Sequence, residues 1–302
     1  MRIKLRLQEA WRRFWKKSTS EKLTYIFYFL LFLTFAVMYL YPFFNTFMNS
    51  FRTLKDYTTM FKRSPFSLPT EWQFDSWGQI FTAFKYKNYT YFDMLWNSLW
   101  FLVVNVFCNV AGSVMMAYCI ARFRFPGKEF LYGVVIFMQT IPIIGSGAAS
   151  YKMLNAFGMV NNPYLIWIAW FTGFDFQFII LYGAFKGISP TYSEAAKIDG
   201  ANNLIVLFRI ILPQAWPSIM ALVVTSAMGT WNNYSTIMIY LRDYPTIAYG
   251  LFVFKQDGAM YAQNANALFS AAVCLSVLPP CILYACSQKL IWTKMTAGGL
   301  KG

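Results

Sequence analysis

The stretch that decides the fold is Glu194-Ala195-Ala196-Lys197-Ile198-Asp199-Gly200-Ala201, which continues to Ile210-Ile211-Leu212-Pro213. It is a polar island of about twenty residues between two long apolar segments, and it is therefore predicted to lie at a membrane face rather than inside the bilayer. A short helix held out on a membrane face would suit a socket on a partner protein.

The residues around this stretch predict its local structure. Ser189 is a candidate cap for the first helical turn, Pro190 suits the first helical position, and Asp199-Gly200 is a helix-ending turn. We therefore expect a short helix, a sharp bend, and a second helix that Pro213 brings to an end.

Composition places the chain in the membrane. Hydrophobic residues make up 58% of the 302 residues and charged residues only 13%, as in integral membrane proteins. The chain has no His, which excludes His-dependent triads and imidazole metal sites. Its five Cys lie in apolar segments without a Cys-x-x-Cys spacing, and free thiols with no metal site are expected. Most of the positive charge lies between apolar segments or in the N-terminus, and no nucleic-acid partner is predicted.

Six apolar segments predict an all-α integral membrane protein with six transmembrane helices. The third segment is interrupted by Pro142 and Gly145, and the fourth contains Asp175. The expected organisation is a basic N-terminal segment at 1–22, a six-helix domain at 23–290 with a polar loop at 186–217, and a tail at 291–302. The predicted spans are 23–40, 96–121, 130–151, 164–185, 218–240 and 268–290.

Charge asymmetry orients these spans. An even number of spans puts both termini on one side, and that side carries 17 of the 26 Lys and Arg residues, against nine on the other. Basic residues are enriched in cytoplasmic loops. Both termini and the loop at 186–217 are therefore predicted to be cytoplasmic.

The spaced pattern resembles the cytoplasmic EAA signature of ABC importer permeases: Glu-Ala-Ala, three residues, Gly, nine residues, then Ile-x-Leu-Pro. The chain looks most like the carbohydrate class, specifically the shorter maltose-type subunit. The resemblance extends over nearly the whole length, from Ser50-Phe51-Arg52 to the tail at 296–302. The chain departs from the family at Thr191-Tyr192-Ser193, where acidic residues are common, and in the loop at 242–266.

This resemblance implies the fold and the partners. It implies the ABC type I importer permease fold, a bacterial plasma-membrane location, and a helix that couples to an ATPase. The implied partners are a second homologous permease, two ATPase subunits, an extracellular solute-binding protein, membrane lipid and a carbohydrate substrate. The single Gly-Lys pair, Gly127-Lys128, lies in a loop that does not resemble a phosphate cradle, so no enzyme activity or cofactor is expected in this chain. ATP and Mg²⁺ would belong to the ATPase partners. The implied coupling residues are Glu194, Ala195, Ala196, Asp199, Gly200 and Ala201.

Polar side chains within the spans are candidates for a translocation pathway. Aromatic faces and amides suit sugar rings and hydroxyls, and Asp175 is the only acid in a predicted span. The amides could equally join helices, Asp175 could make a structural hydrogen bond, and Glu194 could be a solvated acid. The pathway candidates are Asp175, Asn105, Asn109, Trp231, Asn232, Asn233 and Tyr234, and the candidates for contact with the binding protein are Pro245, Tyr249 and Lys255.

Two other classes compete with this interpretation. A secondary transporter would need several intramembrane carboxylates or basic residues, whereas Asp175 is the only acid in the predicted spans. A membrane enzyme acting on lipid or polyisoprenoid substrates would need clustered Asp, Glu or His at a membrane face, and the sequence shows no such cluster.

Overall fold

A computed structural model describes residues 15, 17–63, 67–141, 145–257 and 265–298. Within those ranges the regular secondary structure is helical, and the only β-pairing is in two isolated bridges, Arg52–Trp72 and Tyr86–Tyr89. Most of the predicted N-terminal segment at 1–22 lies outside the described residues, as does the end of the predicted tail at 299–302. The helices are α1 Thr19–Asn49, α2 Leu54–Arg63, α3 Asp75–Ala83, α4 Tyr91–Arg122, α5 Lys128–Thr140, α6 Gly147–Ala156, α7 Trp167–Trp170, α8 Phe176–Gly187, α9 Pro190–Ile198, α10 Asn203–Val206, α11 Leu212–Trp231, α12 Tyr234–Tyr240, α13 Ile247–Asp257 and α14 Ala265–Gly298, with a π-helical turn at Leu207–Ile211.

Four helical stretches in the described ranges are long and apolar enough to cross a membrane in one piece: Thr19–Asn49, Tyr91–Arg122, Asn203–Trp231 and Ala265–Gln288. They contain the first and second predicted spans, most of the fifth, and all but the end of the sixth. The apolar stretch of α1 buries none of its length within this chain, which leaves its side chains to lipid or another subunit.

The third and fourth predicted spans are not single helices, and this corrects the expectation. The third is divided into α5 and α6, with Gly145 at a φ of 91° between them, while Pro142 lies outside the described residues. In the fourth, a non-helical segment at 171–175 separates α7 from α8. Gly173 in that segment has a φ of 85°, a conformation that glycine adopts without steric cost.

Pro213 does not end its helix, contrary to the prediction. The chain runs from α10 through the π-helical turn into α11, with Pro213 in the first turn of α11. The N–H of Leu212 bonds to the carbonyl of Leu207, five residues back, and this wider turn accommodates the ring and the missing donor of a proline. Instead, the helix stops at Trp231, before the end of the predicted span at Tyr240.

Helix α4 is the central element. It packs most extensively against α8 and also against α11, around a core that includes Phe178, Leu181, Phe185 and Ile211. Near its start, α4 packs against α3, α13 and α14. Its 32 residues span roughly 48 Å at the helical rise of 1.5 Å per residue, enough to join both faces of a bilayer.

The long connection between α1 and α4 is folded rather than extended. Arg52 and Asp56 form a buried ion pair with an N–O distance of 3.1 Å, and their exposed fractions are 1% and 4%. Asp56 also accepts hydrogen bonds from the backbone N–H and the hydroxyl of Thr70. Because a buried charge is costly without its partner, this pair fixes the packing of the segment.

Candidate functional site

Helix α9 is a rigid two-and-a-half-turn element at one end of the bundle. As predicted, Pro190 occupies its first position, although the Ser189 hydroxyl bonds to Thr191 rather than capping the helix. At the other end, Gly200 has a φ of 86°. The Gly200 N–H donates to the Lys197 carbonyl, and the Ala201 N–H donates to the Ala196 carbonyl. These two bonds form a Schellman motif, which ends the helix sharply.

The two sides of α9 have different roles. Ala196 and Ala201 pack inward against the core shared by α4, α8 and α11. Ala195 is exposed, Tyr192 is 58% exposed, and Ile198 is 87% exposed. Of the Ala195-Ala196 pair, only Ala195 is therefore available to a partner, while Ala196 seats the helix on its own bundle.

Two side chains of α4 hold the flanks of α9. The Arg122 guanidinium donates to the carbonyl oxygens of Phe185 at 2.7 Å and Ile188 at 2.8 Å, just before α9. The Tyr118 hydroxyl donates to the carbonyl of Asn203 at 2.9 Å, just after it. These anchors were not among the predicted site residues, because their partners are backbone atoms that no sequence pattern reveals.

A line of polar side chains, here called the polar seam, runs along α4 inside the bundle. Asn105, Asn109 and Ser113 are spaced four residues apart and lie on one face of the helix. The Asn105 side-chain oxygen accepts from the Thr230 hydroxyl of α11 at 2.9 Å. The seam confirms that Asn105 and Asn109 share a face, and it adds Ser113, which the same spacing would have identified.

Gln177 links three helices across the seam. Its amide nitrogen donates to Asn109 of α4, and to the Ser226 hydroxyl of α11 at 2.7 Å. Its amide oxygen is buried and has no hydrogen-bond partner among the described residues. The seam therefore retains one unused acceptor between α4, α8 and α11.

Asp175 lies at the start of α8 rather than within a helix. Its Oδ1 accepts from the backbone N–H of Phe178 at 3.0 Å and from the Ser113 hydroxyl at 2.8 Å. The same hydroxyl lies 3.0 Å from the Asn109 carbonyl, and its single proton serves one acceptor at a time. Asp175 thus both caps α8 and joins the polar seam.

The backbone before α8 touches α4 directly. A Cβ at Gly112 would lie 3.2 Å from the backbone nitrogen of Gly173, and a Cβ at Gly173 would lie 2.7 Å from Cγ of Met116. Two glycines therefore allow the break in the fourth predicted span to lie against α4, and this contact brings Asp175 to Ser113.

Sequence comparison identifies the family. The model of the binding-protein-dependent transport system inner membrane component family matches residues 109–296, which include α9, the polar seam from Asn109 onward, and α11. The chain belongs to this family of transport permeases. The match confirms the family predicted from the spaced Glu-Ala-Ala pattern, whose members are transport components rather than enzymes.

Individual relatives agree with this assignment. The permease is 28% identical over 270 residues to the diacetylchitobiose uptake system permease protein NgcG of Streptomyces coelicolor, covering 87% of this chain and 84% of the relative. It is 26% identical over 293 residues to the maltodextrin transport system permease protein MalD of Streptococcus pneumoniae, covering 95% and 98%. Among solved structures, a chain of a bacterial ABC transporter involved in the import of the acidic polysaccharide alginate matches with a TM-score of 0.75 and 23% identity, covering 90% of the permease and 98% of that chain. This likeness supports the predicted importer permease fold.

The remaining pathway candidates of the permease do not join the polar seam. Trp231 is buried, and its indole N–H donates to the Ser276 carbonyl of α14 at 3.0 Å. Asn232 ends α11, while Asn233 caps α12 through the backbone N–H of Thr236. Tyr234 stacks on Phe252 with ring centroids 4.3 Å apart. These residues shape the break between α11 and α12.

The three candidates for contact with a binding protein separate by burial. Pro245 and Tyr249 are buried, and only Lys255 is exposed. Asn97 donates to the Pro245 carbonyl at 3.0 Å, while burial and the hydrogen bond with Tyr86 raise the pKa of Tyr249 to about 12. In this conformation, Pro245 and Tyr249 pack beneath the surface of the permease, and their side chains are not presented to a partner.

Proposed function

We propose that this permease is a membrane subunit of an ATP-driven, binding-protein-dependent importer of a sugar or oligosaccharide. Support comes from the family and from relatives named for diacetylchitobiose and maltodextrin transport. In this proposal, ATP and Mg²⁺ bind to two separate ATPase subunits, and a second homologous permease completes the pathway. A complex of the alginate transporter with its periplasmic protein supports an extracellular solute-binding partner.

The observation that carries the proposal is the construction of α9. The helix ends in a Schellman motif, and hydrogen bonds from Arg122 and Tyr118 hold the residues that flank it. Ile198, in its last turn, is 87% exposed. An exposed apolar tip on a firmly anchored helix suits a socket on another protein. Force applied to α9 would reach α4 and α8 through the Arg122 hydrogen bonds.

The proposed topology has six spans with both termini in the cytoplasm. The third and fourth spans would each be built from two shorter helices, α5 with α6 and α7 with α8. The anchors at Arg122 and Asn97 lie at opposite ends of α4, separated by roughly 37 Å at 1.5 Å per residue. This separation suits a coupling helix on one membrane face and a folded outer loop on the other.

The polar seam is the proposed part of the pathway contributed by this subunit. Asn105, Asn109 and Asp175 would offer hydrogen-bonding groups to saccharide hydroxyls when the two permeases separate. Closure of the ATPase subunits would draw the coupling helices together and open the seam outward. ATP hydrolysis would then return the seam to its original arrangement. The seam hydrogen bonds seen here would break and reform during this cycle.

Site-directed labelling tests the orientation, and co-purification tests the assembly. In a variant without the native cysteines, Ile198→Cys should resist a membrane-impermeant maleimide in intact cells and react in inverted vesicles. A tagged permease should recover an ATPase subunit and a second permease. Labelling from outside, or recovery of no ATPase, would contradict the proposal.

A further inference from the structure

A cleft rich in cationic side chains opens where the end of α4, the start of α5 and helix α9 meet. Its charged lining consists of Arg122, Arg124, Lys128, Lys197 and Glu194. This group is called the cation cleft below. It lies at the α9 end of the bundle, away from the polar seam, and the coupling role of α9 does not account for Arg124 or Lys128.

The cationic side chains of the cation cleft outnumber its single carboxylate, Glu194. Within the described residues, none of Arg124, Lys128 and Lys197 forms an ion pair, and the same holds for Glu194. The Nε of Arg122 is buried and has no hydrogen-bond partner in the part of the chain that the structure describes, although Nη2 of the same side chain donates to two backbone carbonyls. Four cationic groups facing one carboxylate favour an anionic ligand.

The surface beside the cleft indicates which kind of anion fits. Arg124 and Lys128 also line an adjoining cavity, together with Phe125, Glu129 and Phe130. Phe125 is 37% exposed and Phe130 is 74% exposed. Both lie at or near the turn between the ends of two apolar helices, where aromatic side chains meet lipid headgroups. A phospholipid supplies a phosphate for the cations and an acyl chain for the rings, whereas an acidic protein loop supplies only the charge.

We propose that the cation cleft binds the phosphate of an anionic phospholipid from the adjacent leaflet, so that the lipid bridges α5 and the base of α9. Basic pockets between membrane helices bind such headgroups on the cytoplasmic side. The cytoplasmic assignment of this leaflet rests on the orientation in the proposed function. The lipid would neutralise Lys197 and Lys128 together, and it would steady α9 against the bundle.

Native mass spectrometry of the purified full-length permease tests this proposal without requiring transport. The detergent-solubilised protein is mixed with phosphatidylglycerol and phosphatidylcholine, and the retained lipid is measured for the wild type and for the double variant R124Q/K128Q, which leaves α9 unaltered. The matched control is K85Q/K152Q, which removes two exposed cations far along the chain from the cleft. A Lys197→Gln variant then tests the α9 side of the cleft.

The wild type and the control should retain phosphatidylglycerol in preference to phosphatidylcholine. R124Q/K128Q should bind phosphatidylglycerol more weakly by roughly fivefold per cation, the factor expected from about 1 kcal/mol for each basic residue near an anionic membrane surface. Equal retention of both lipids by the wild type, or an equal loss in the control, would overturn the proposal. If R124Q/K128Q lost a co-purifying ATPase but kept its lipid preference, the cleft would be a protein-docking surface instead. Failure of the importer proposal would appear separately, as absence of any ATPase with the lipid preference intact.

Discussion

Arg122 and Ile188 are joined at the base of α9: the Arg122 guanidinium donates to the Ile188 carbonyl at 2.8 Å, one residue before Ser189. The same nitrogen bonds to the Phe185 carbonyl in the last turn of α8. A cation at this position adds a second donor to the Phe185 carbonyl, which already accepts from the Ile188 N–H at 3.3 Å, and it complements the helix dipole. The junction therefore connects α4, α8 and α9 through one side chain.

Replacing Arg122 is expected to loosen this junction. Arg122→Ala should lower the free energy of unfolding by about 1–3 kcal/mol, because two partly buried carbonyls lose a charged donor. It should also weaken the coupling of ATP hydrolysis to transport. Arg122→Lys should restore part of the stability, because one ammonium donor still reaches the carbonyls. Thermal unfolding and saccharide-stimulated ATPase activity in the reconstituted complex provide the measurements, and unchanged coupling in Arg122→Ala would contradict the anchoring role.

Asp175 has two roles that substitution can separate. Asp175→Asn keeps an oxygen to cap α8 but removes the charge, so uptake is expected to fall while assembly and thermal stability remain normal. Asp175→Ala also removes the cap, and the free energy of unfolding should fall by about 1 kcal/mol in addition. Uptake assays with radiolabelled saccharide test the pathway role. Normal uptake by Asp175→Asn would show that Asp175 acts as a helix cap and has no role in the pathway.

Because Gly112 and Gly173 lie in close contact, one added methyl group at Gly173 is expected to lower the stability of the protein. Gly173→Ala should destabilise the protein by at least about 1–2 kcal/mol, because φ is positive and the new Cβ would lie 3.0 Å from the Gly112 carbonyl oxygen. Gly183→Ala in α8 is the matched control, since its Cβ would meet nothing within 4 Å. That control should be neutral or more stable by up to about 1 kcal/mol. Equal melting temperatures for the two variants would show that the close contact is absent.

Substitution of Ile198 is expected to impair assembly with the ATPase without impairing folding. At 87% exposure it adds little to the core, so Ile198→Asp should leave the unfolding temperature unchanged. Recovery of the ATPase subunit with the tagged permease should nevertheless fall severalfold, because the apolar tip is lost. Tyr164→Asp, at a site that is 81% exposed, serves as the control and should leave ATPase recovery normal. Equal recovery with both variants would place the docking surface elsewhere.

The sequence predicted elements whose signals are local in the chain. Pro190 at the first position of α9 and Gly200 at its end were both identified correctly, because a missing donor and a positive φ restrict which residues fit. The helix at Thr19–Asn49 also followed directly from a long apolar run. By contrast, the sequence predicts a helix end at Pro213, whereas a π-helical turn lets the helix continue through it. Proline predicts a local disturbance, and packing decides whether the helix continues.

The candidate site was predictable only in part. The four-residue spacing of Asn105 and Asn109 placed them on one face, but their partners Thr230 and Gln177 come from helices that are distant in sequence. Trp231 was grouped with the pathway because of its residue type, yet it packs against α14. Side-chain chemistry suggests what a residue can bind, whereas its direction depends on neighbouring helices.

The sequence by itself determined the membrane class, the helical composition, the short helix α9 and the family, because hydropathy, turn residues and spaced motifs are properties of neighbouring residues. Only the tertiary structure decided that Ala196 faces inward while Ile198 faces outward, and that Arg122 holds the base of α9. It also brought Gly173 against Gly112, which places Asp175 beside Ser113. These relationships depend on how separate helices pack, and packing is set by contacts between residues far apart in the chain.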